Sequence, residues 1–360
     1  MAVTWEDNIL GFVPPKDWLS VDFRVERPGD PADQLFSDQK TDNLVAEWQS
    51  IAAEYQIPVM AQFHGFDVES QTTFRVPIDT HNIEKGLIKV KINQSERMRA
   101  LLRSGVQGDD RLYEFVINDA VRLAEQIVTR TKVAKNELLA TGQVTIKENN
   151  LDLTVDYGVP AAQKNLTLDF GAGAASDVPD QLRQIVDTAN EKGVILTGMF
   201  TGRDVIGKLR ANESIQRLIN GNSGVGSLLR RGDLEAYLAE EFGINRIIEN
   251  DLIYGASETI GADNRPQIAT KRYYPKNTIS FFATNPGGRL GVGLWGDAPE
   301  LDVTQHLDAS QSSTSPYVAI TQWAEKDPSV LWTKATALFM PVLYNPDSLW
   351  IATTTETPGA

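Results

Sequence analysis

Between Asp109 and Leu139 the apolar residues Leu112, Phe115, Val116, Ala120, Leu123, Ile127, Ala134 and Leu138 recur every three or four positions. That spacing traces one face of an α-helix. Gly108-Asp109-Asp110 offers a cap and an acidic first turn, Lys132 and Lys135 fall late, where cations suit the helix dipole, and Gly142 is a stop signal. At 1.5 Å per residue the predicted helix is roughly 45 Å long. A second pattern precedes it. Leu87-Ile88-Lys89-Val90-Lys91-Ile92 alternates, so Lys89 and Lys91 share one face of a strand and Val90 and Ile92 the other. Val59–Phe63 and Thr72–Val76 are also strand-like. Residues 57–95 therefore read as an extended hairpin, which is marginal alone in water and calls for a partner surface.

Residues 43–56 support two patterns. Leu44, Trp48, Ile51 and Tyr55 fit a helix, whereas Leu44, Ala46 and Trp48 alternate as in a strand; the spacing tips the reading to helix. Leu151 to Val159 alternates as a strand with one wet face. Gly171-Ala172-Gly173-Ala174-Ala175 reads as a joint, and a new unit starts near Asp177. Within it, helices over 178–190, 201–219 and 228–242 alternate with extended runs at 193–199 and 246–252, a small α/β layer. Pro275-Lys276-Asn277 and Asn285-Pro286-Gly287-Gly288 read as turns bounding a buried strand, Thr278 to Phe282. Gly291, Gly293 and Gly296 punctuate a further strand, and 337–351 repeats the strand–turn–strand form. The fold class is α+β.

Residues 1–42 are rich in Pro, Asp and Gly yet hold Trp5, Ile9, Leu10, Phe12, Trp18, Leu19 and Phe23. Such a segment has no continuous apolar face to fold on, but its anchors suit an arm draped over its own or another subunit. The whole chain has 360 residues and a formal charge of −14 from 34 Lys+Arg and 48 Asp+Glu. That balance disfavours direct phosphate-backbone binding, which needs clustered cations, and suits a wall that repels DNA. With no cysteine, disulfides, thiolate nucleophiles and Cys-ligated zinc are excluded. No run of 18 apolar residues predicts a membrane span, and the first residues lack the pattern of a secretory signal.

Candidate chemistry is sparse. Gly221-Asn222-Ser223-Gly224-Val225-Gly226 lacks the Gly-Lys-Ser/Thr of a phosphate loop, and Ser223 is not in a hydrolase elbow; a loop between helices is the better reading. His64, His81 and His306 are not spaced as a local metal pair, although His64 and His81 could meet across the hairpin. Asp109-Asp110 and Glu240-Glu241 read as caps and solvated charges. Lys208, Arg210 and Arg217 sit among apolar and acidic residues on a short segment, a poor nucleic-acid face. No catalytic, cofactor-binding or metal-binding residue is assigned.

The order of elements, with Gly193-Val-Ile-Leu-Thr-Gly-Met-Phe-Thr-Gly-Arg-Asp, Leu234-Glu-Ala-Tyr-Leu-Ala-Glu-Glu-Phe-Gly-Ile and Tyr274-Pro-Lys-Asn-Thr, resembles the major capsid proteins of tailed double-stranded DNA bacteriophages, in the lambda-like protein E branch. The resemblance spans about residues 40–352. It implies an HK97-like fold: an N-terminal arm (1–42), an extended loop region (43–95), a peripheral domain with a spine helix (96–171 and 296–360) and an inserted α/β axial domain (172–295). The family's strand near 43–56 argues against the helix there. The resemblance further implies self-assembly into hexamers and pentamers, an icosahedral shell around DNA, and no catalysis. Expected partners are copies of itself, a portal, scaffolding and decoration proteins, with no membrane; the expected place is the virion capsid, assembled in the host cytoplasm. Some relatives cross-link Lys to Asn. Lys85, Lys89 or Lys91 lies in the appropriate loop, but no asparagine is assignable and no cross-link is expected. The alternatives are a cargo nanocompartment of encapsulin type and a nucleotide-binding enzyme using the 221–226 loop.

Overall fold

The computed structural model describes residues 29–60, 75–96, 108–148, 151–171, 177–221, 226, 228–260, 266–299, 306–308, 318–327 and 329–355. The anchors from Trp5 to Phe23, the strand-like residues 61–63 and 72–74, the joint at 172–175 and the loop at 222–225 lie outside them.

The chain opens with β1 (Phe36–Lys40), β2 (Val45–Ser50), β3 (Asp79–Glu84) and β4 (Gly86–Gln94). The long helix α1 (Gly108–Thr141) follows, 34 residues or roughly 51 Å. Gly142 takes φ +69° and ends it, as its position predicts. After β5 (Gln143–Glu148), β6 (Leu151–Asp156) and β7 (Leu166–Asp169) comes α2 (Val178–Glu191). Next are β8 (Gly198–Thr201), α3 (Arg203–Ala211), α4 (Glu213–Asn220), α5 (Arg231–Phe242) and β9 (Arg246–Glu249). The ribbon β10 (Ile253–Ile260) and β11 (Pro266–Arg272) leads to β12 (Thr278–Phe282), β13 (Gly291–Gly296), β14 (His306–Asp308), β15 (Ala319–Lys326), β16 (Ser329–Leu343) and β17 (Leu349–Thr355).

Two sheets organise the body. The first runs β1-β13-β16-β15-β14, and the long β16 also pairs with β4. The apolar face of α1, with Ala120, Leu123, Ile127 and Leu138 buried, packs on β16 and β4. As the alternation predicts, Ile88, Val90 and Ile92 lie against this core while Leu87, Lys89 and Lys91 face outward. The second sheet runs β7-β17-β12-β8-β9. Its central strands β8 and β12 are buried on both faces. Phe200, Phe282, Leu349 and Ile351 join the core beneath α1, while Met199, Phe281, Trp350 and Ala352 join a second core formed with α2 to α5. This follows from the period-2 geometry of a strand. Three two-stranded ribbons, β2–β3, β5–β6 and β10–β11, pair within themselves.

Five expectations are corrected. In the expected hairpin over 57–95, residues 87–92 instead lie in β4, bonded along its length to β16 of the body, and 57–60 and 75–78 form no strand; the hairpin seen is β2 with β3. Residues 45–50 form a strand, with only a single helical turn at Ala53–Gln56. Pairing with β3 places Trp48 opposite His81, their rings stacked at 5.1 Å, and Ala46 is buried against Val292, Leu294 and Val342; the helical stripe would have been worth little, since Leu44 and Tyr55 stay exposed. The extended run from Gly193 pairs only at Gly198–Thr201. The helix expected over 201–219 is two helices, broken at Asn212, whose side chain caps α4 by accepting from Ile215 N at 3.1 Å. In β6 both faces of residues 151–154 are exposed and only Val155 is buried, because its sole strand partner is β5.

Candidate functional site

Two clusters of buried polar groups lie where the arm and the loop region join the body. At the arm's root, Pro31–Gln34 forms one 3-10 turn, capped by Asp30, which accepts from Ala32 N at 2.9 Å. Asp30 also accepts from Asn136 Nδ2 of α1 at 2.7 Å and from Asn250 Nδ2 at 2.9 Å, and Asn250 donates to Asn136 Oδ1 at 2.8 Å. All three residues are buried. One closed triad thus ties the arm's root, the spine helix and the segment after β9. Burial pushes the Asp30 carboxyl above the usual aspartate range, against the opposing backbone bond.

Beside the triad, Lys135 is 1% exposed and reaches Asp33 at 2.7 Å and Asp38 at 2.9 Å. Burial alone would lower its pKa, but the two carboxylates outweigh it and hold the ammonium above its ordinary value. The expected role of Lys135 as a late-turn dipole partner is therefore corrected: it is an internal clamp on the arm. The sheet is shaped for this pair, since a Cβ on Gly293 would sit 2.4 Å from Asp38 Oδ1 and 3.1 Å from Lys135 Cε.

At the ribbon's root, Lys85 separates β3 from β4 and is 2% exposed. Its Nζ donates toward Thr41 Oγ1 and Asn43 O at 2.6 Å, Thr41 O at 2.9 Å and Trp295 O at 3.3 Å. Four oxygens face three ammonium protons. Burial draws this amine's pKa down, offset in part by Asp297 and Asp42. Beyond this root the chain shows its apolar side chains to solvent: Val59 is 90% and Met60 85% exposed, and Val76 and Ile78 are exposed too. The other lysines of the loop are on the surface, with Lys91 Nζ 4.2 Å from the Trp332 ring centroid.

The residues weighed for chemistry do not come together. Gly221 takes φ +70° as the C-cap of α4, and Gly226 N donates to Gln216 Oε1 at 2.8 Å. The ends of that loop are held by the helical layer. His81 stacks on Trp48 and shares a 2.9 Å bond with Ser50 Oγ. His306 lies in β14, and His64 is outside the described residues. No group of three potential metal ligands occurs among the described residues. Lys208 bonds Asn277 Oδ1 at 2.9 Å and Arg210 donates to Leu229 O at 2.7 Å, ties within the fold.

Sequence reasoning missed the Asp30–Asn136–Asn250 triad and the Lys85 clamp. Lys135 left one trace, a cation one position after Ala134 on the apolar stripe. Lys85 left none, because its acceptors are mostly main-chain oxygens.

A family model described as phage major capsid protein E matches residues 40–354. The chain belongs to the phage major capsid protein E family. This capsid protein is similar in fold to two solved structures. One, assigned as a prophage capsid protein of E. coli CFT073, has a TM-score of 0.52 at 11% identity over 94% of this chain and 97% of that one. The other, a phage-related protein of Bordetella bronchiseptica RB50, has a TM-score of 0.50 at 11% identity over 95% and 97%. No curated protein sequence matches it. The fold is the α+β, HK97-like capsid fold. The protein is a major capsid protein that builds a shell from copies of itself; it is a structural protein of the virion capsid and not an enzyme. Neither the cargo compartment nor the nucleotide-binding enzyme is favoured.

Proposed function

We propose that this capsid protein assembles into hexamers and pentamers that close an icosahedral shell around double-stranded DNA. Assembly takes place in the host cytoplasm, with portal, scaffolding and decoration proteins as partners. The working division is an arm (1–42), an extended loop region (43–95), a peripheral domain (96–171 and 296–360) and an axial domain (172–295). In this division β7 and β17 extend, on one side, the sheet of β12, β8 and β9. The observation that carries this reading is the exposed pair Val59 and Met60 in a loop region that returns to the body at a buried lysine. A contact between one patch and a different patch on the next copy closes rings, which is how a shell is tiled. The net charge of −14 makes copies repel, so assembly strengthens as salt screens that repulsion.

Negative-stain imaging of the purified protein across a salt series tests the reading. Closed particles of uniform size are expected, in greater yield at higher ionic strength. A stable monomer or dimer at every salt and protein concentration overturns it.

A further inference from the structure

Asn220 is the last residue of α4 and stands exposed before Gly221. No other asparagine of the chain is followed by glycine. The pairing matters because the main-chain nitrogen of the next residue can attack an asparagine side-chain amide, and a Cβ on that residue obstructs the approach. Gly221 has no Cβ, and one built there would meet nothing within 4 Å. Space for a small ring is therefore open.

The fold itself calls for the glycine. Gly221 has φ +70° and ψ −179°, a region in which other residues are strained. The residue that ends the helix thus also fixes the susceptible pair. One bond resists: Gly221 N donates to Arg217 O at 3.0 Å in the last turn of an eight-residue helix. Ends of short helices fray, and fraying frees this nitrogen. The opposite end of α4 makes the contrast. Asn212 is followed by Glu213, and its Oδ1 accepts from Ile215 N at 3.1 Å. Asn136 and Asn250 are buried and bonded to Asp30.

We propose that Asn220 is a site of spontaneous deamidation. The Gly221 nitrogen gives its proton to hydroxide and bonds to Asn220 Cγ. The Cγ–Nδ2 bond breaks, and the departing nitrogen takes a proton from water and leaves as ammonia. One further water opens the resulting imide at either carbonyl. Opening at one gives aspartate at position 220; opening at the other gives iso-aspartate, with the main chain rerouted through Cγ. No electrons change hands and no reactant beyond water is needed.

The consequence is electrostatic. Asn220 lines a cleft of about 560 Å³ between α2, α4 and α5, with Asp233, Glu240 and Glu241. Arg183 shares the cleft and already pairs with Asp180 at 2.7 Å. Each conversion sets a further carboxylate among these acids, in a chain that carries −14 before it, and like charges at close range repel. The inference concerns a single copy and stands apart from the shell reading.

Purified protein is aged at mildly acidic and mildly alkaline pH, and peptides spanning Asn220 are weighed and assayed with an iso-aspartate methyltransferase. The expected result is exchange of the amide for a carboxylate at position 220, with an iso-aspartate signal. The rate should rise roughly tenfold per unit of pH, as the ionised fraction of the attacking amide does. Asn212 serves as the internal comparison and stays unconverted. Asn220→Gln, an exposed change that would need a larger ring, should slow the reaction at least tenfold. Aged native protein should run beside Asn220→Asp in isoelectric focusing. Conversion of Asn220 no faster than that of Asn212, or a charge shift that persists in Asn220→Gln, overturns the inference.

Discussion

The second sheet and the β5–β6 ribbon differ in what they leave unfinished. Every residue of β12 is buried, and β12 lies between β17 and β8 with apolar side chains on both faces. In β6, Val155 alone is buried, and Leu151 and Leu153 are exposed. Both segments are strands rich in β-branched or aliphatic residues, so local propensity does not separate them. The number of layers does: the sheet has a core on each side, whereas the ribbon has α1 and β4 near one side only. A strand complete within one copy supports the stability of that copy. A strand left open contributes little until another copy covers it.

Substitutions can break this contrast or sharpen it. Trp350→Ala, in the sheet, is expected to cost about 4 kcal/mol, the loss for a large aromatic in a packed core, read by urea unfolding of unassembled protein. Lys135→Ala removes the cation from a buried cluster and is expected to cost about 3 kcal/mol. Lys135→Met, which keeps the stem, should recover part of that. Gly291→Ala would place a Cβ 2.1 Å from Val342 O and 2.5 Å from Phe36 Cε1; about 2 kcal/mol of overpacking is expected, visible as a lowered urea midpoint. Asp30 gives a smaller, pH-dependent effect. Its folded pKa is raised, so its contribution is fully present below the unfolded aspartate range and is lost as pH rises through the folded value. Stability measured upward from about pH 4 should fall more steeply in the native protein than in Asp30→Asn. The smallest effect is reserved for Val59→Ser with Met60→Ser. Less than about 0.5 kcal/mol on the lone chain is expected for such exposed sites, together with a clear loss of particles. If that pair destabilised the lone chain as much as Trp350→Ala does, the distinction between closed and open regions would be gone.

What was legible in the sequence follows the same divide. The helix α1 was readable because one side meets a core and the other meets water or charge, which writes a 3.6-residue period. The strand Thr278–Phe282 was readable because it is β-branched and aromatic between two turn signals, although Thr278 and Ser280 are buried in it as well. The strand β2 was misread as helix: it pairs with the distant β3 and buries Ala46 against Val292, Leu294 and Val342, neither of which leaves a local period. The assembly roots were mostly invisible. Asp30, Asn136 and Asn250 are far apart in sequence and polar, so each alone looks like an ordinary surface residue. The family resemblance identified the fold and the role where residue chemistry could only exclude others.

Lys85 sets a mechanical condition on the ribbon. To tilt the ribbon at its base, an ammonium would have to be stripped of several oxygen ligands at once in a place water scarcely enters. Bending is cheaper farther out, toward the exposed Val59, Met60, Val76 and Ile78. Differences in curvature between neighbouring positions in a shell would then be absorbed toward the ribbon's outer part, while its base keeps a constant pitch, as a cantilever flexes along its span and not at the clamp.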